Sequence, residues 1–271
     1  MDFDYPAPEG VDISVPNAAR MYDYALGGRN NYAADREFAD VFFAMQPNAR
    51  DEARQSRQFL IRAVHHLAAE ASIRQFVDVG SGLPTEQNVH EVAHQVDPSA
   101  RVVYVDYDPV VIAHGNALLA TTEHVTLVQA DLRKPADILT QPGLLERVDL
   151  SRPMALVLNN VLHFVTEEDD PYGIVATLTG AMSPGSYLVL SHVSFPPALL
   201  EAVIAKAGGR PSAPYVSRTP EQIMRFFDGF ELLEPGLVTP LEWRPPIERH
   251  AVQEKLFVQV AVGRKVLSAT G

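Results

Sequence analysis

The residues best suited to chemistry sit where β-rich runs end. Phe76-Val77-Asp78-Val79-Gly80-Ser81-Gly82-Leu83-Pro84-Thr85 places a carboxylate ahead of a glycine loop, with a helix expected to open at Pro84 or Thr85. Glycine lets a backbone pass close to a ligand, and the first N–H groups of a helix have no partner within it. A tight turn would account for the same glycine pair, so this stretch alone is weak evidence. A second run, Val102-Val103-Tyr104-Val105-Asp106, puts a carboxylate at a strand end 26 residues after Gly80. That is where a nucleotide-binding sheet grips ribose hydroxyls. Asp108 reads differently: followed by Pro109, it fits a helix N-cap with proline at the first helical position. A third run, Val125 to Ala130, leads into Asp131-Leu132. Strand-end acids at Asp78, Asp106 and Asp131 suit a ligand with an ammonium, a ribose diol and an exocyclic amine, and do not suit a dinucleotide pyrophosphate.

Further along, Asn159-Asn160-Val161-Leu162-His163-Phe164 follows a fourth β-rich run. His163 is a candidate general base for an oxygen or nitrogen nucleophile, with a loop-shaping histidine as the plainer alternative. Asn159 and Asn160 fit either a ligand or the backbone. His90-Glu91-Val92-Ala93-His94 spells a zinc-protease motif on a predicted helix. However, Val89, Val92, Ala93 and Val96 form the stripe that must pack on the sheet, leaving both histidines on its flank. No metal site is expected. Arg20, Tyr22, Asp23, Tyr24, Gly28, Asn30, Asn31 and Tyr32 make a polar, aromatic N-terminal cluster, read as a lid over the strand ends or else as helix surface. The Arg50, Arg54 and Arg57 face is expected to be solvated.

These groups need a scaffold, and the hydrophobic period supplies one. Residues 1–15 carry no period. Helical spacing then covers Asn17–Leu26, Ala33–Gln46 and a segment from Ala49 to about Ala71. Beyond it, strands are expected at Gln75–Val79, Arg101–Asp106, Val125–Gln129, Met154–Leu158, Ser186–His192, Phe230–Leu233 and Leu256–Val262. Helices between them are expected at Thr85–Val96, Pro109–Ala120, Gly143–Val148, Pro171–Met182, Pro197–Ala207 and Pro220–Phe227. The spacing predicts an α/β fold, a seven-stranded, mostly parallel sheet with helices on both faces, whose last two strands are antiparallel. The expected division is a helical N-terminal extension (1–72) and an α/β domain (73–271).

Composition narrows the setting. With no cysteine in 271 residues, disulfides, thiolate metal sites and cysteine nucleophiles are excluded. Acidic residues outnumber basic ones 34 to 22, and a net charge of −12 argues against nucleic acid as partner. No apolar run reaches the length of a membrane span, and a cytoplasmic location is expected.

The three acids and the glycine loop together resemble class I, Rossmann-like S-adenosylmethionine-dependent methyltransferases. The resemblance implies that Gly80, Ser81 and Gly82 line the cofactor with Asp78 and Asn159, that Asp106 binds ribose, and that Asp131 reads the adenine amine with Leu132 offering a backbone N–H. Tyr107 would pack on the adenine face. In the lid reading of the N-terminal cluster, Arg20 pairs with the methionyl carboxylate. The usual third loop glycine is absent, replaced by Leu83-Pro84. Ala19-Arg20-Met21-Tyr22-Asp23-Tyr24, Gly27-Gly28, Val161-Leu162-His163-Phe164-Val165, Asp228-Gly229, Glu234-Pro235-Gly236-Leu237-Val238 and Trp243-Arg244-Pro245 are similar to one mainly actinobacterial methyltransferase family. A methyltransferase with S-adenosyl-L-methionine as cofactor and a small-molecule acceptor is the expected function. The competing readings are a non-catalytic S-adenosylmethionine-binding module and a nicotinamide-dependent oxidoreductase. None of the four lysines lies four residues after a tyrosine, which counts against the Tyr-Lys pair of short-chain reductases.

Overall fold

The computed structural model describes residues 11–85, 87–118, 123–245 and 256–266. Three helices come first: α1 (Ala18–Leu26), α2 (Ala33–Met45) and α3 (Ala49–Ala69). Asn17 starts α1 by accepting the Arg20 N–H, and Asp35 starts α2 by accepting the Tyr32 N–H at 2.8 Å. In α3, Phe59, Leu60, Ala63, Val64 and Leu67 are buried at helical spacing.

The strands β1 (Gln75–Val79), β2 (Arg101–Asp106), β3 (Val125–Gln129), β4 (Ala155–Asn159), β5 (Tyr187–Val193), β6 (Phe230–Leu232) and β7 (Val258–Lys265) form one sheet in the order β3-β2-β1-β4-β5-β7-β6. The first five pair in parallel; β7 runs antiparallel to both β5 and β6. This is the class I methyltransferase arrangement expected from the sequence. The strand order reverses between β1 and β4, so the carboxyl ends of β1, β2 and β4 frame the natural ligand crevice.

Among the described residues, seven further α-helices connect the strands: α4 (Val89–Val96), α5 (Pro109–Leu118), α6 (Pro135–Leu139), α7 (Pro142–Leu145), α8 (Pro171–Gly180), α9 (Pro197–Ala207) and α10 (Pro220–Met224). Two expectations are corrected here. The helix anticipated from Thr85 begins at Val89, because Asn88 and Glu91 form a capping box there and Gln87 takes a left-handed φ of 58°. The helix anticipated at Gly143–Val148 is the shorter α7, Pro142–Leu145, and a second short helix, α6, precedes it at Pro135–Leu139; each is opened by proline. The expected end of the α5 segment at Ala120 lies outside the described residues.

Strand alternation splits the core into two layers. Phe76, Val102, Tyr104, Val157 and Val189 face α3 and α4, while Val77, Val103, Leu156, Leu158 and Leu190 face α8 and its neighbours. Asp78, Tyr104 and Asp106 follow the first parity, so they lie on the α3 side. Trp243 packs edge-on against Phe59 at 5.3 Å, tying the segment before β7 into that layer.

Candidate functional site

Asp78 is 4% exposed and Asp106 6%, and both sit at strand ends beneath α3. Burial pushes the Asp78 carboxyl up to about 7; Arg57 pulls it back and Asp106 adds to the rise. Burial likewise raises Asp106, against the N–H donors that hold it. Its Oδ2 accepts from Gly82 at 2.9 Å and its Oδ1 from Asp108 at 3.0 Å, so one carboxylate joins the glycine loop to the end of β2. Each oxygen keeps a lone pair for a ligand hydroxyl. Asp108 caps α5 through Val110 N–H at 2.8 Å, as expected, and also accepts from Asn17 Nδ2 at 2.6 Å, anchoring the N-terminal segment.

The loop path is fixed by close approach. A Cβ on Gly80, at φ 72°, would come within 2.3 Å of the Val161 side chain, so the β1 and β4 loops touch there. At Gly82, with φ 67°, a Cβ would meet nothing within 4 Å: the backbone is bare toward open space. Next to it, Ser81 Oγ is buried without a hydrogen-bond partner. Arg57, Asp78, Ser81, Gly82 and Asn88 line one narrow cleft.

Arg57 is therefore a half-buried lining residue of this cleft rather than the solvated cation expected, and the polar Glu52 and Ser56 on the buried side of α3 were the signal for it. A hydrophobic stripe interrupted by buried polar residues marks helix surface that covers a polar site. Tyr22 also belongs here. Its hydroxyl donates to the Ala53 carbonyl of α3 at 3.4 Å, and burial raises it in the joint field of Arg57 and Asp78. Asn160 Nδ2 donates to Ser56 Oγ at 2.9 Å. Asn159 lies on the same sheet face, but its Oδ1 accepts from Ser191 Oγ at 2.8 Å, so Asn160 is the one that reaches α3.

Arg20 must be reassigned. It is 1% exposed, its Nε lies 2.8 Å from Asp35 Oδ2, and its Nη2 donates to the Val15 carbonyl at 2.7 Å. That guanidinium is spent inside the N-terminal segment and does not present itself to a ligand carboxylate. Asp131 is also engaged: Arg133 reaches both of its oxygens, with Nη2 at 2.7 Å from Oδ2 and Nε at 3.0 Å from Oδ1. This ion pair holds the Asp131 carboxyl below its usual range. An adenine amine would have to displace the guanidinium. Tyr107 is half exposed with the same Arg133 guanidinium 5.9 Å from its ring centre, and the Leu132 side chain is buried in the lower layer.

The zinc-like motif is structural. His90 Nδ1 bonds to Tyr104 Oη at 2.8 Å and His94 Nε2 to the Ala100 carbonyl at 2.8 Å. No group of three or more His, Cys, Asp or Glu side chains that could hold a metal ion occurs among the described residues. A shallow depression around Arg101 and residues 145–151 lies at the amino end of β2, away from these groups.

His163 sits in the turn after β4 and is 5% exposed. Burial, with His192 and Arg218 nearby, holds its imidazole well below the usual range, so it is neutral at pH 7. Its Nδ1 is buried without a hydrogen-bond partner.

The sequence matches the model of a family described as S-adenosyl methyltransferase over residues 4–266. The chain belongs to that family. Two crystal structures are similar over nearly their whole length: a proposed methyltransferase from Thermobifida fusca, at 39% identity with a TM-score of 0.89, covering 97% of this chain and 100% of that one, and a DUF574 family protein from Streptomyces avermitilis, at 40% identity with a TM-score of 0.86, covering 94% and 100%. An O-methyltransferase family protein from Burkholderia thailandensis, at 12% identity and a TM-score of 0.50 over 90% of this chain and 64% of its own, shares the fold. Among curated proteins none matches. Family and neighbours support a methyltransferase, and no helix of the described residues is long and apolar enough to cross a membrane.

Proposed function

We propose that this family member transfers a methyl group from S-adenosylmethionine to a small-molecule acceptor, as a cytoplasmic enzyme. The observation that carries the reading is one buried cleft with Asp78 and Arg57 in each other's field beside the bare Ser81-Gly82 backbone, with Asp106 at the next strand end. An α-amino acid end is a zwitterion: its ammonium matches Asp78 and its carboxylate matches Arg57, the role Arg20 does not fill. Ser81 Oγ is available to the same group, and Asp106, with a backbone N–H donor on each oxygen, is the acceptor for a ribose diol. Gly80, Tyr107, Asp131, Leu132 and Asn159 complete the proposed cofactor surroundings, with Asp131 available once Arg133 moves aside.

When bound, S-adenosylmethionine supplies an electrophilic methyl on a sulfonium. Displacement there asks the protein for alignment and exclusion of water. Residues 73–271 form the binding domain and residues 1–72 the lid in this reading. Its support is that Val11 and Ala19 pack on Leu83, Val110 and Val111, and that Tyr22 of α1 reaches the Ala53 carbonyl of α3, the helix that carries Arg57. His163, neutral at working pH, is the base that receives the acceptor's proton.

Calorimetry with S-adenosylhomocysteine tests the proposal. The wild type is expected to bind, and Asp106→Ala to lose about 1.5–3 kcal/mol of affinity, the range for hydrogen bonds to a charged group. Absence of binding by the wild type, or tight binding of a nicotinamide nucleotide in its place, overturns it.

A further inference from the structure

We propose that the acceptor is a planar aromatic hydroxyl compound, a phenol in the broad sense, held by an aromatic wall and hydrogen-bonded through its O–H to the unpaired ring nitrogen of His163. This deepens the methyl-transfer reading and rests on it.

The wall is assembled from separate segments. Phe164 and Tyr215 flank His163 at ring-centre distances of 4.0 and 5.4 Å. Phe195 lies stacked beyond Tyr215 at 6.2 Å, with Phe42 of α2 edge-on to it at 4.9 Å and Phe257 at 5.4 Å. These five rings are half-buried, and none belongs to the two layers that pack the sheet. The Tyr215 hydroxyl accepts the Phe195 N–H at 2.6 Å. What this region offers a visitor is therefore ring faces and edges, which favour planar partners in offset or edge-on contact.

A single nitrogen supplies the polar direction. The neighbouring His192 is occupied at both ends, by Ser194 Oγ at 3.1 Å and Arg218 Nη1 at 3.2 Å. His163 has no such partner for its buried Nδ1, a buried polar atom left unpaired calls for a partner, and in the tautomer protonated on Nε2 this nitrogen accepts an O–H. Its position is imposed from outside, because Arg218 donates to the carbonyls of Leu162 at 2.7 Å and Val165 at 2.8 Å, bracketing it in sequence. Neutral imidazole can accept a proton. In the proposed step the acceptor's O–H bond breaks with its proton passing to His163, a new O–CH3 bond forms, and the C–S bond breaks with its electron pair staying on sulfur.

The test uses the full chain with and without S-adenosylhomocysteine. Phenol, catechol and naphthol are titrated by calorimetry against their saturated counterparts cyclohexanol, cyclohexanediol and decalol. At least one aromatic member is expected to bind about tenfold or more tighter than its saturated partner, as stacking terms of this kind allow. Phe195→Leu should weaken that binding several-fold with S-adenosylhomocysteine affinity unchanged, and nitrogen NMR should show the His163 signal shifting as the phenol is added. Equal binding of flat and saturated alcohols, no aromatic binding by a protein that binds S-adenosylhomocysteine, or an unmoved His163 signal overturns the proposal. Ring-selective binding in a protein that ignores S-adenosylhomocysteine would overturn the methyl-transfer reading alone.

Discussion

Arg20→Ala is expected to lower the free energy of unfolding by about 3–5 kcal/mol, the usual effect of breaking a buried ion pair from one side. Asp35 is fully buried, and its carboxylate also holds the N–H groups of Asn17 and Tyr32, each at 2.8 Å, at the starts of α1 and α2. Without Arg20 that charge is stranded away from water with two backbone bonds for compensation. The loss should appear as a lower urea midpoint with little change in slope. Arg20→Met combined with Asp35→Asn should recover part of it, since the cost lies in the uncompensated charge more than in the absent pair. A stable Arg20→Ala protein that fails to bind S-adenosylhomocysteine would contradict the assignment and restore Arg20 as a ligand group.

Asp78→Asn is expected to move stability and binding in opposite directions. The wild-type carboxyl is pushed up to about 7 in the folded protein, against an ordinary value of 3.8. Between those two pH values the folded state keeps a proton that the unfolded state has lost, so wild-type stability falls as pH rises from 4 to 7 and is level above. The span corresponds to about 4 kcal/mol. Asparagine carries no such cost, and the variant should be the more stable protein at pH 8, by less at pH 5. Binding of an ammonium-bearing ligand should behave otherwise. Wild-type affinity for S-adenosylhomocysteine should climb through pH 6 and 7 as Asp78 ionises and then level. The variant should bind about 1.5–3 kcal/mol more weakly at pH 8, with the climb removed. Chemical denaturation and calorimetry across pH 5–8 measure both. An Asn variant that is less stable at pH 8 would show that the charge is not strained in the free cleft.

These expectations separate what one dimension of the chain determines from what three dimensions add. The run of strand-end acids at Asp78, Asp106 and Asp131, the glycine loop and the cap at Asp108 were legible because each depends on local spacing: a strand's parity and a cap's offset are properties of a few neighbouring residues. The parallel sheet and the antiparallel final pair followed from the lengths of the connections. Partnership was not legible. Arg20, Arg57 and Arg133 look alike as letters, and only packing decides that Arg20 neutralises Asp35, that Arg133 occupies Asp131, and that Arg57, 21 residues before Asp78 in sequence, faces it across the cleft. Charge pairing is a matter of distance in space and of exclusion from water. Likewise, nothing local marks Phe42, Phe164, Phe195, Tyr215 and Phe257 as neighbours. They form a chain of ring contacts that begins at His163, because α2 packs on α9 while β7 lies beside β5, contacts that only the closed fold brings into being.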